Sequence, residues 1–194
     1  MRSLGLAKIE SMTTRSHPTE SALLIPVPAA EPTLQRWRER LDPACRLGVP
    51  AHVTLLYPFV APAALDDVTI QRLADLFLQR TAFAFSLREI RWFGDEVAYV
   101  APEPGARFRA LTAAIYGEFP AFPPYRGEHD DVIPHLTIGQ DAPVGALRQA
   151  AKHVTAHLPI ETHAEEVWLM TGTQTARSWV LKARFELSRG NTVP

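Results

Sequence analysis

The sequence predicts an α+β fold made of two lobes. Segments with continuous or alternating apolar residues, typical of strands, are separated by segments in which apolar residues recur every three or four positions, typical of helices. The order strand–helix–strand–helix–strand occurs twice, from about Ser21 and again from about Glu96, which indicates an internal duplication. The length of 194 residues fits one domain in which both halves share a core.

The first half contains five predicted elements. The apolar run 21–28 predicts a central strand, and residues 31–42 predict a helix because Pro32 suits a first helical turn. Residues 52–60 are rich in strand formers, and Asp66 and Asp67 can cap the helix that follows. A half-buried strand is expected from residue 83.

The second half repeats this order. Gly94 and Asp95 form a turn into a strand over 96–100, a helix is predicted over 106–119, and a loop rich in proline and glycine covers 120–131. Further elements are predicted in chain order, namely a strand over 134–139, a helix over 144–158, and strands near 165–170 and 178–187.

Composition excludes several classes of protein. A net charge of −1 is no electrostatic match for a long phosphate backbone, so a nucleic-acid partner should be short or bound at one end. The single cysteine, Cys45, excludes an internal disulfide and fits a reducing compartment. No signal peptide or membrane span is evident. We expect a monomeric cytoplasmic protein without a membrane partner, with an N-terminal extension over 1–18, one domain over 19–194, and lobes from the repeats 21–94 and 96–187.

The third element of each half contains the same short motif. It reads His-Val-Thr-Leu from His52 and His-Leu-Thr-Ile from His135, with a proline one or two positions before each histidine. In a strand, residues two apart share a face, so His52 and Thr54 should lie on one face and His135 and Thr137 on another. If a pseudo-twofold axis relates the halves, both faces line one cleft.

These residue types suit phosphoryl transfer by acid–base catalysis. One neutral imidazole can accept a proton from an attacking hydroxyl or water, while one imidazolium protonates the leaving oxygen on the opposite side. Threonine hydroxyls beside them can donate hydrogen bonds to the non-bridging oxygens. The spacing predicts no metal site and no cofactor.

The paired motifs, 83 positions apart in a duplicated chain, resemble those of the 2H phosphoesterase superfamily. The chain is most similar to the bacterial 2′-5′ RNA ligases, many of which act as RNA 2′,3′-cyclic phosphodiesterases. The resemblance spans residues 21–187. It implies antiparallel sheets flanked by helices around a central cleft. It also implies His52 and His135 as acid and base, and Thr54 and Thr137 as phosphate ligands.

The resemblance implies hydrolysis of 2′,3′-cyclic phosphate RNA ends to 2′-phosphates, with a 2′-5′ ligase activity as the reverse reaction. It favours His135 as the base, although the symmetry of the cleft leaves the two roles open. One alternative is another small cyclic or 2′-5′ linked nucleotide as substrate. A second alternative is a non-catalytic protein that binds a nucleotide end.

Other side chains are weaker candidates for binding. In the loop before the second motif, Tyr125 is a candidate to cover a base and Arg126 to bind a phosphate. Trp168 and Trp179 are expected mainly in the core, with base stacking as the alternative. Alternation places Tyr57 and Phe59 opposite His52, which predicts core packing. The helix positions Arg36, Arg38 and Arg40 are expected in solvent, and a zinc site at His153, His157 and His163 is a remote alternative.

Overall fold

A computed structural model describes residues 17–128 and 131–189. They form two four-stranded antiparallel sheets with helices against them, so the predicted α+β class is confirmed. The strands are β1 (Glu20–Pro26), β2 (His52–Leu56), β3 (Phe83–Phe93), β4 (Val97–Glu103), β5 (Leu136–Gln140), β6 (Ile160–Ala164), β7 (Glu166–Gly172) and β8 (Val180–Glu186). The helices are α1 (Glu31–Leu41), α2 (Pro43–Leu47), α3 (Asp67–Leu78), α4 (Gly105–Glu118) and α5 (Val144–Thr155).

Each sheet takes strands from both halves of the sequence. The first sheet has the order β2-β1-β7-β8 and the second has the order β5-β4-β3-β6. Strand β3 therefore belongs to the sheet of the second motif, and the hairpin β7–β8 belongs to the sheet of the first. The division into lobes at 21–94 and 96–187 stays a prediction, as does the single domain over 19–194. Residues 1–16 of the predicted N-terminal extension lie outside the described residues.

Strands β2 and β5 are edge strands of their sheets and contact each other. One face of each sheet packs in a common hydrophobic core, which includes Val53 and Leu55 of β2 and Leu136 and Ile138 of β5. Helices α3 and α4 cover the first sheet, and α1 and α5 cover the second. The opposite faces of β2 and β5 are left for the motif side chains.

Two contacts fix the motif strands against their helices. The buried Thr112 of α4 donates a hydrogen bond from Oγ1 to the carbonyl of Leu55 at 2.9 Å, which ties α4 to β2. Gly139 allows α1 and α5 to approach β5, because a Cβ there would lie 2.7 Å from side-chain atoms of Leu41 and Leu147. The motif strands are thus held from behind by helices.

The predicted helices and strands are present, with shifts of a few residues at their ends. The five-residue helix α2 and the strand β6 were not predicted from the sequence. No helix in residues 17–128 or 131–189 has the length and apolar character needed to cross a bilayer.

Candidate active site

Both motif histidines hold their rings by the same local hydrogen bond. The Nδ1 atom of His52 lies 2.7 Å from the carbonyl oxygen of Pro50, and that of His135 lies 2.8 Å from the carbonyl oxygen of Ile133. A carbonyl oxygen only accepts, so Nδ1 carries the proton in both rings. In the neutral form, each Nε2 is then unprotonated and able to accept a proton.

The first motif and its neighbours share one face of the first sheet. Thr54 is half-buried and pairs across β1 with Leu24, which in turn pairs with Trp168 of β7. Register partners in antiparallel strands point to the same side of the sheet. This row therefore lies on the side away from the main core, as the alternation within β2 predicts for Thr54.

The prediction that Tyr57 faces away from His52 is wrong. The pairing of β1 with β2 shifts between Leu23 and Leu24, and both Leu55 and Leu56 consequently point into the main core. The extra core residue reverses the alternation beyond it. Tyr57 packs instead with Leu24 in a second, smaller cluster on the side of Thr54. Phe59 lies in the main core as predicted.

The second motif lies against aromatic rings. Thr137 pairs with Tyr99 across β4, and the His135 ring contacts the rings of Tyr99 and Phe93 at centroid distances of 5.5 and 5.2 Å. Phe93 and Tyr99 stack on each other at 4.4 Å. These two aromatic residues hold His135, and the sequence analysis did not identify them. The strand alternation of β3 and β4 is the signal that places them on this face.

The two imidazoles differ in their electrostatic surroundings. Burial, followed by the positive charge of Arg38, lowers the pKa of His52 to about 4. Burial also lowers the pKa of His135 below its ordinary value. His135 is among the groups that lower the pKa of His52, so the two rings are close enough to interact. The four motif side chains are therefore collected where β2 meets β5.

The loop before the second motif lies beside the first. The backbone N–H of Tyr125 donates to the carbonyl of Tyr57 at 2.8 Å, and a cavity of about 290 Å³ is lined by Tyr57, Pro58, Tyr125, Arg126 and Glu128. Burial raises the pKa of Tyr125 to about 12, so its hydroxyl stays protonated, whereas the Arg126 side chain is exposed. The predicted binding residues Tyr125 and Arg126 thus line one cavity. His129 and Asp130 of the same loop lie outside the described residues.

Trp168 and Trp179, the two tryptophans considered for base stacking, differ in burial. Trp179 is buried and donates its indole N–H to the carbonyl of Thr173 at 3.0 Å, which confirms the predicted core position. Trp168 is half-buried, with its indole N–H bound to Glu166 at 2.7 Å and the guanidinium of Arg184 5.0 Å from its ring centroid.

The prediction of a solvent-exposed arginine face on α1 is wrong for Arg38. This side chain is 1% exposed and pairs with the equally buried Asp42, which caps α2. Arg36 and Arg40 are exposed as predicted. Arg38 lies four positions after Leu34 and three before Leu41, so helical periodicity places it within the apolar stripe, and this spacing was the available signal.

The remote zinc alternative finds no support in the described ranges. The rings of His153 and His157 lie 4.5 Å apart, but His163 is on strand β6. Within residues 17–128 and 131–189, no group of three or more histidine, cysteine, aspartate or glutamate side chains is arranged to hold a metal ion.

A family model described as the 2′-5′ RNA ligase superfamily matches residues 26–176, which include both motifs. The chain belongs to this superfamily. The predicted 2H phosphoesterase relationship is thereby confirmed. No curated protein matches the sequence significantly.

Several solved structures share the fold. E. coli LigT complexed with 3′-AMP has a TM-score of 0.58 and 17% identity, over 89% of this chain and 100% of that chain. E. coli LigT complexed with ATP has a TM-score of 0.56 and 17% identity, over 90% and 100%. A Thermus thermophilus protein has a TM-score of 0.57 and 16% identity, over 89% and 100%. At these identities the likeness shows the fold alone.

Proposed function

We propose that this member of the 2′-5′ RNA ligase superfamily is a metal-independent phosphodiesterase that opens 2′,3′-cyclic phosphate RNA ends and leaves 2′-phosphates. The observation that supports the proposal is the pair of imidazoles at the junction of β2 and β5. Each has its proton on Nδ1 and its Nε2 available. In-line displacement at phosphorus needs a proton acceptor and a proton donor on opposite sides of the phosphate.

In the proposed reaction, water attacks the cyclic phosphorus atom. The Nε2 atom of one neutral imidazole accepts a proton from the water as the new P–O bond forms. The other imidazole is protonated and gives its Nε2 proton to the 3′ oxygen as the P–O3′ bond breaks. The products are a 3′-hydroxyl and a 2′-phosphate. With a 5′-hydroxyl in place of water, the same displacement forms a P–O5′ bond, breaks the P–O3′ bond and gives a 2′-5′ linkage.

The other predicted residues act on the substrate. The hydroxyls of Thr54 and Thr137 donate to the non-bridging phosphate oxygens, where negative charge increases in the transition state. The cavity beside Tyr57 receives the nucleoside, with Tyr125 against the base and Arg126 near a phosphate. We infer a monomeric cytoplasmic enzyme that acts on RNA ends or small nucleotides without a cofactor.

Hydrolysis of an oligonucleotide with a 2′,3′-cyclic end, in the presence of excess chelator, tests the proposal. We expect wild-type turnover to persist under chelation, and His52→Ala and His135→Ala each to lower kcat by about 10²–10⁴-fold, the usual loss for a general acid or base. A glutamine variant of each histidine controls for the loss of side-chain volume. Full activity in either variant, or wild-type activity that requires a metal, contradicts the mechanism.

A small cyclic or 2′-5′ linked nucleotide is the second candidate substrate. It is favoured by the net charge of −1 and by the small cavity beside Tyr57. A panel of 2′,3′-cyclic mononucleotides, 2′-5′ linked dinucleotides and cyclic-ended oligonucleotides ranks the candidates by kcat/KM. Tight binding of every compound without turnover would instead identify a non-catalytic protein.

A further inference from the structure

A buried group of charged side chains lies behind the first motif. It consists of Glu31 and Arg38 of α1 together with Asp42, which follows that helix. The side chains of Arg38 and Asp42 are only 1% and 2% exposed, and the Nη2 atom of Arg38 lies 2.8 Å from Oδ2 of Asp42. Burying charges is costly, so such a group calls for an explanation. The proposed reaction makes no use of it.

This group holds the backbone on both sides of Pro50. The Nη2 atom of Arg38 donates to the carbonyl of Val49 at 3.3 Å, and the N–H of Ala51 donates to Oε1 of Glu31 at 2.6 Å. Between these two contacts, the carbonyl of Pro50 accepts the Nδ1 proton of His52. The carbonyl of Pro50 sets the tautomer of His52. Side chains of α1 therefore hold this carbonyl in place through the residues on either side of it, Val49 and Ala51.

The ends of this group are themselves fixed. Asp42 accepts from Nε of Arg38 at 2.9 Å and from the N–H of Ala44 at 2.9 Å, so it orients the guanidinium while it caps α2. The Nη1 atom of Arg38 lies 4.0 Å from Glu31 and, in the described part of the chain, is buried without a hydrogen-bond partner. A buried donor left unsatisfied costs free energy.

We propose that Glu31 and Arg38 are positioning residues for His52, which hold the segment from Val49 to Ala51 so that the imidazole keeps its tautomer and its direction toward the phosphate. The proposal rests on the proposed function, because it assigns His52 a proton-transfer role. It adds two residues of α1 that do not touch the substrate.

Among the described residues, the second motif has no equivalent charged group. Within the described residues, the segment from Ile133 to His135 makes no hydrogen bond to a charged side chain, and the His135 ring is held by Phe93 and Tyr99 instead. The two imidazoles are thus oriented by different means. His135 consequently provides an internal control for variants of Glu31.

The charges that act on each imidazole predict opposite responses. Arg38 lowers the pKa of His52 and Asp42 raises it, and the effect of Arg38 is larger than that of Asp42. Asp42 is the charged group that raises the pKa of His135. Removal of both members of the ion pair, as in Arg38→Met/Asp42→Asn, is therefore expected to raise the pKa of His52 and to lower that of His135.

Glu31 offers the first test, because its side chain is 29% exposed and its loss should be tolerated by the fold. Glu31→Ala is expected to lower kcat by about 10-fold with KM nearly unchanged, since small misplacements of a catalytic group are costly. Glu31→Gln keeps an oxygen for the N–H of Ala51 and should restore most of kcat. Glu39→Ala, an exposed change on the same helix, is the control.

Imidazole ¹⁵N NMR of the free protein provides the second test and needs no substrate. We expect Glu31→Ala to shift the His52 tautomer away from Nδ1–H, with His135 unchanged, and the double variant to move the two pKa values in opposite directions. An unchanged His52 tautomer in Glu31→Ala, or full kcat in that variant, overturns the proposal. Wild-type protein without hydrolytic activity would overturn the proposed function, whereas the NMR result would still test the positioning.

Discussion

The low pKa of His52 predicts a specific sensitivity of the fold to acid. In the unfolded chain the imidazole returns to its ordinary pKa near 6.5, whereas burial and Arg38 hold it at about 4 in the folded protein. Between these two values the unfolded state binds more protons than the folded state. The stabilising contribution is therefore complete above pH 6.5, and it is lost progressively as the pH falls toward 4.

The magnitude follows from the two pKa values. Proton linkage with 6.5 unfolded and about 4 folded gives a loss of about 2 kcal/mol in the free energy of unfolding between pH 7 and pH 5 from His52 alone. Replacement by glutamine removes the titrating group. Between pH 7 and pH 5, the free energy of unfolding of His52→Gln is therefore expected to fall by about 2 kcal/mol less than that of wild type.

Urea unfolding followed by the fluorescence of the four tryptophans, at pH 7 and pH 5, measures both losses. His163→Gln, a change at an exposed histidine of β6, serves as the matched control and should behave like wild type. Equal losses in wild type and His52→Gln would refute the claim that His52 is buried as a neutral imidazole. That result would also remove the electrostatic contrast between the two motif histidines.

Three further outcomes are expected. The profile of kcat/KM against pH should be bell-shaped with its maximum between about pH 4 and pH 6.5, because both motif histidines have lowered pKa values and one of them must be protonated. Steady-state kinetics in overlapping buffers measures this profile, and a maximum above pH 7.5 contradicts the prediction. Thr54→Val should lower kcat by about 10²-fold at unchanged thermal stability, since one donor to the transition-state oxygens is lost; equal kcat in variant and wild type counts against its role. Gly172→Ala should destabilise the fold by about 1–3 kcal/mol, because a Cβ there would lie 2.4 Å from the ring of Trp179. Gly117→Ala should not destabilise it, because a Cβ at Gly117 would meet no atom within 4 Å. Thermal unfolding compares the two variants, and similar melting temperatures would disprove the overpacking at Gly172.

Periodicity was enough to predict most elements, because their apolar faces are long enough to show it. Helix α3 buries Leu73 and Phe77, four positions apart, and Phe85 and Leu87 of β3 lie in the main core, as their sequences indicate. Helix α2 has five residues and no repeat to detect, although Asp42 before Pro43 and Gly48 after the helix are recognisable start and stop signals. Strand β6 was not predicted, and its exposed polar positions give little contrast.

The candidate site was predicted at its centre and missed at its edges. The side chains of His52 and Thr54 lie as the strand period predicts, because they precede the irregularity in β2. Tyr57 lies beyond it, and one extra core residue moved it to the other face. No local pattern reports such a bulge, since it depends on how β1 and β2 pair.

The buried position of Arg38 shows a second limit of local reasoning. A charged residue is usually solvated, and the place of Arg38 in the apolar stripe of α1 does not by itself identify the partners that a buried guanidinium needs. Its burial becomes intelligible only when Asp42 and the carbonyl of Val49 are seen beside it, and both come from the segment that leads to the first motif. Tertiary contacts supply the partners that make the burial tolerable.

The two halves of the chain share a local rule and differ in what surrounds it. The hydrogen bond from Nδ1 to the carbonyl two residues earlier depends only on the backbone at the start of each motif, so both imidazoles have the same tautomer. An acid and a base must nevertheless differ in protonation at the same pH. In this protein that difference has to come from remote residues, and Arg38 beside His52, with Phe93 and Tyr99 beside His135, is where the structure provides it.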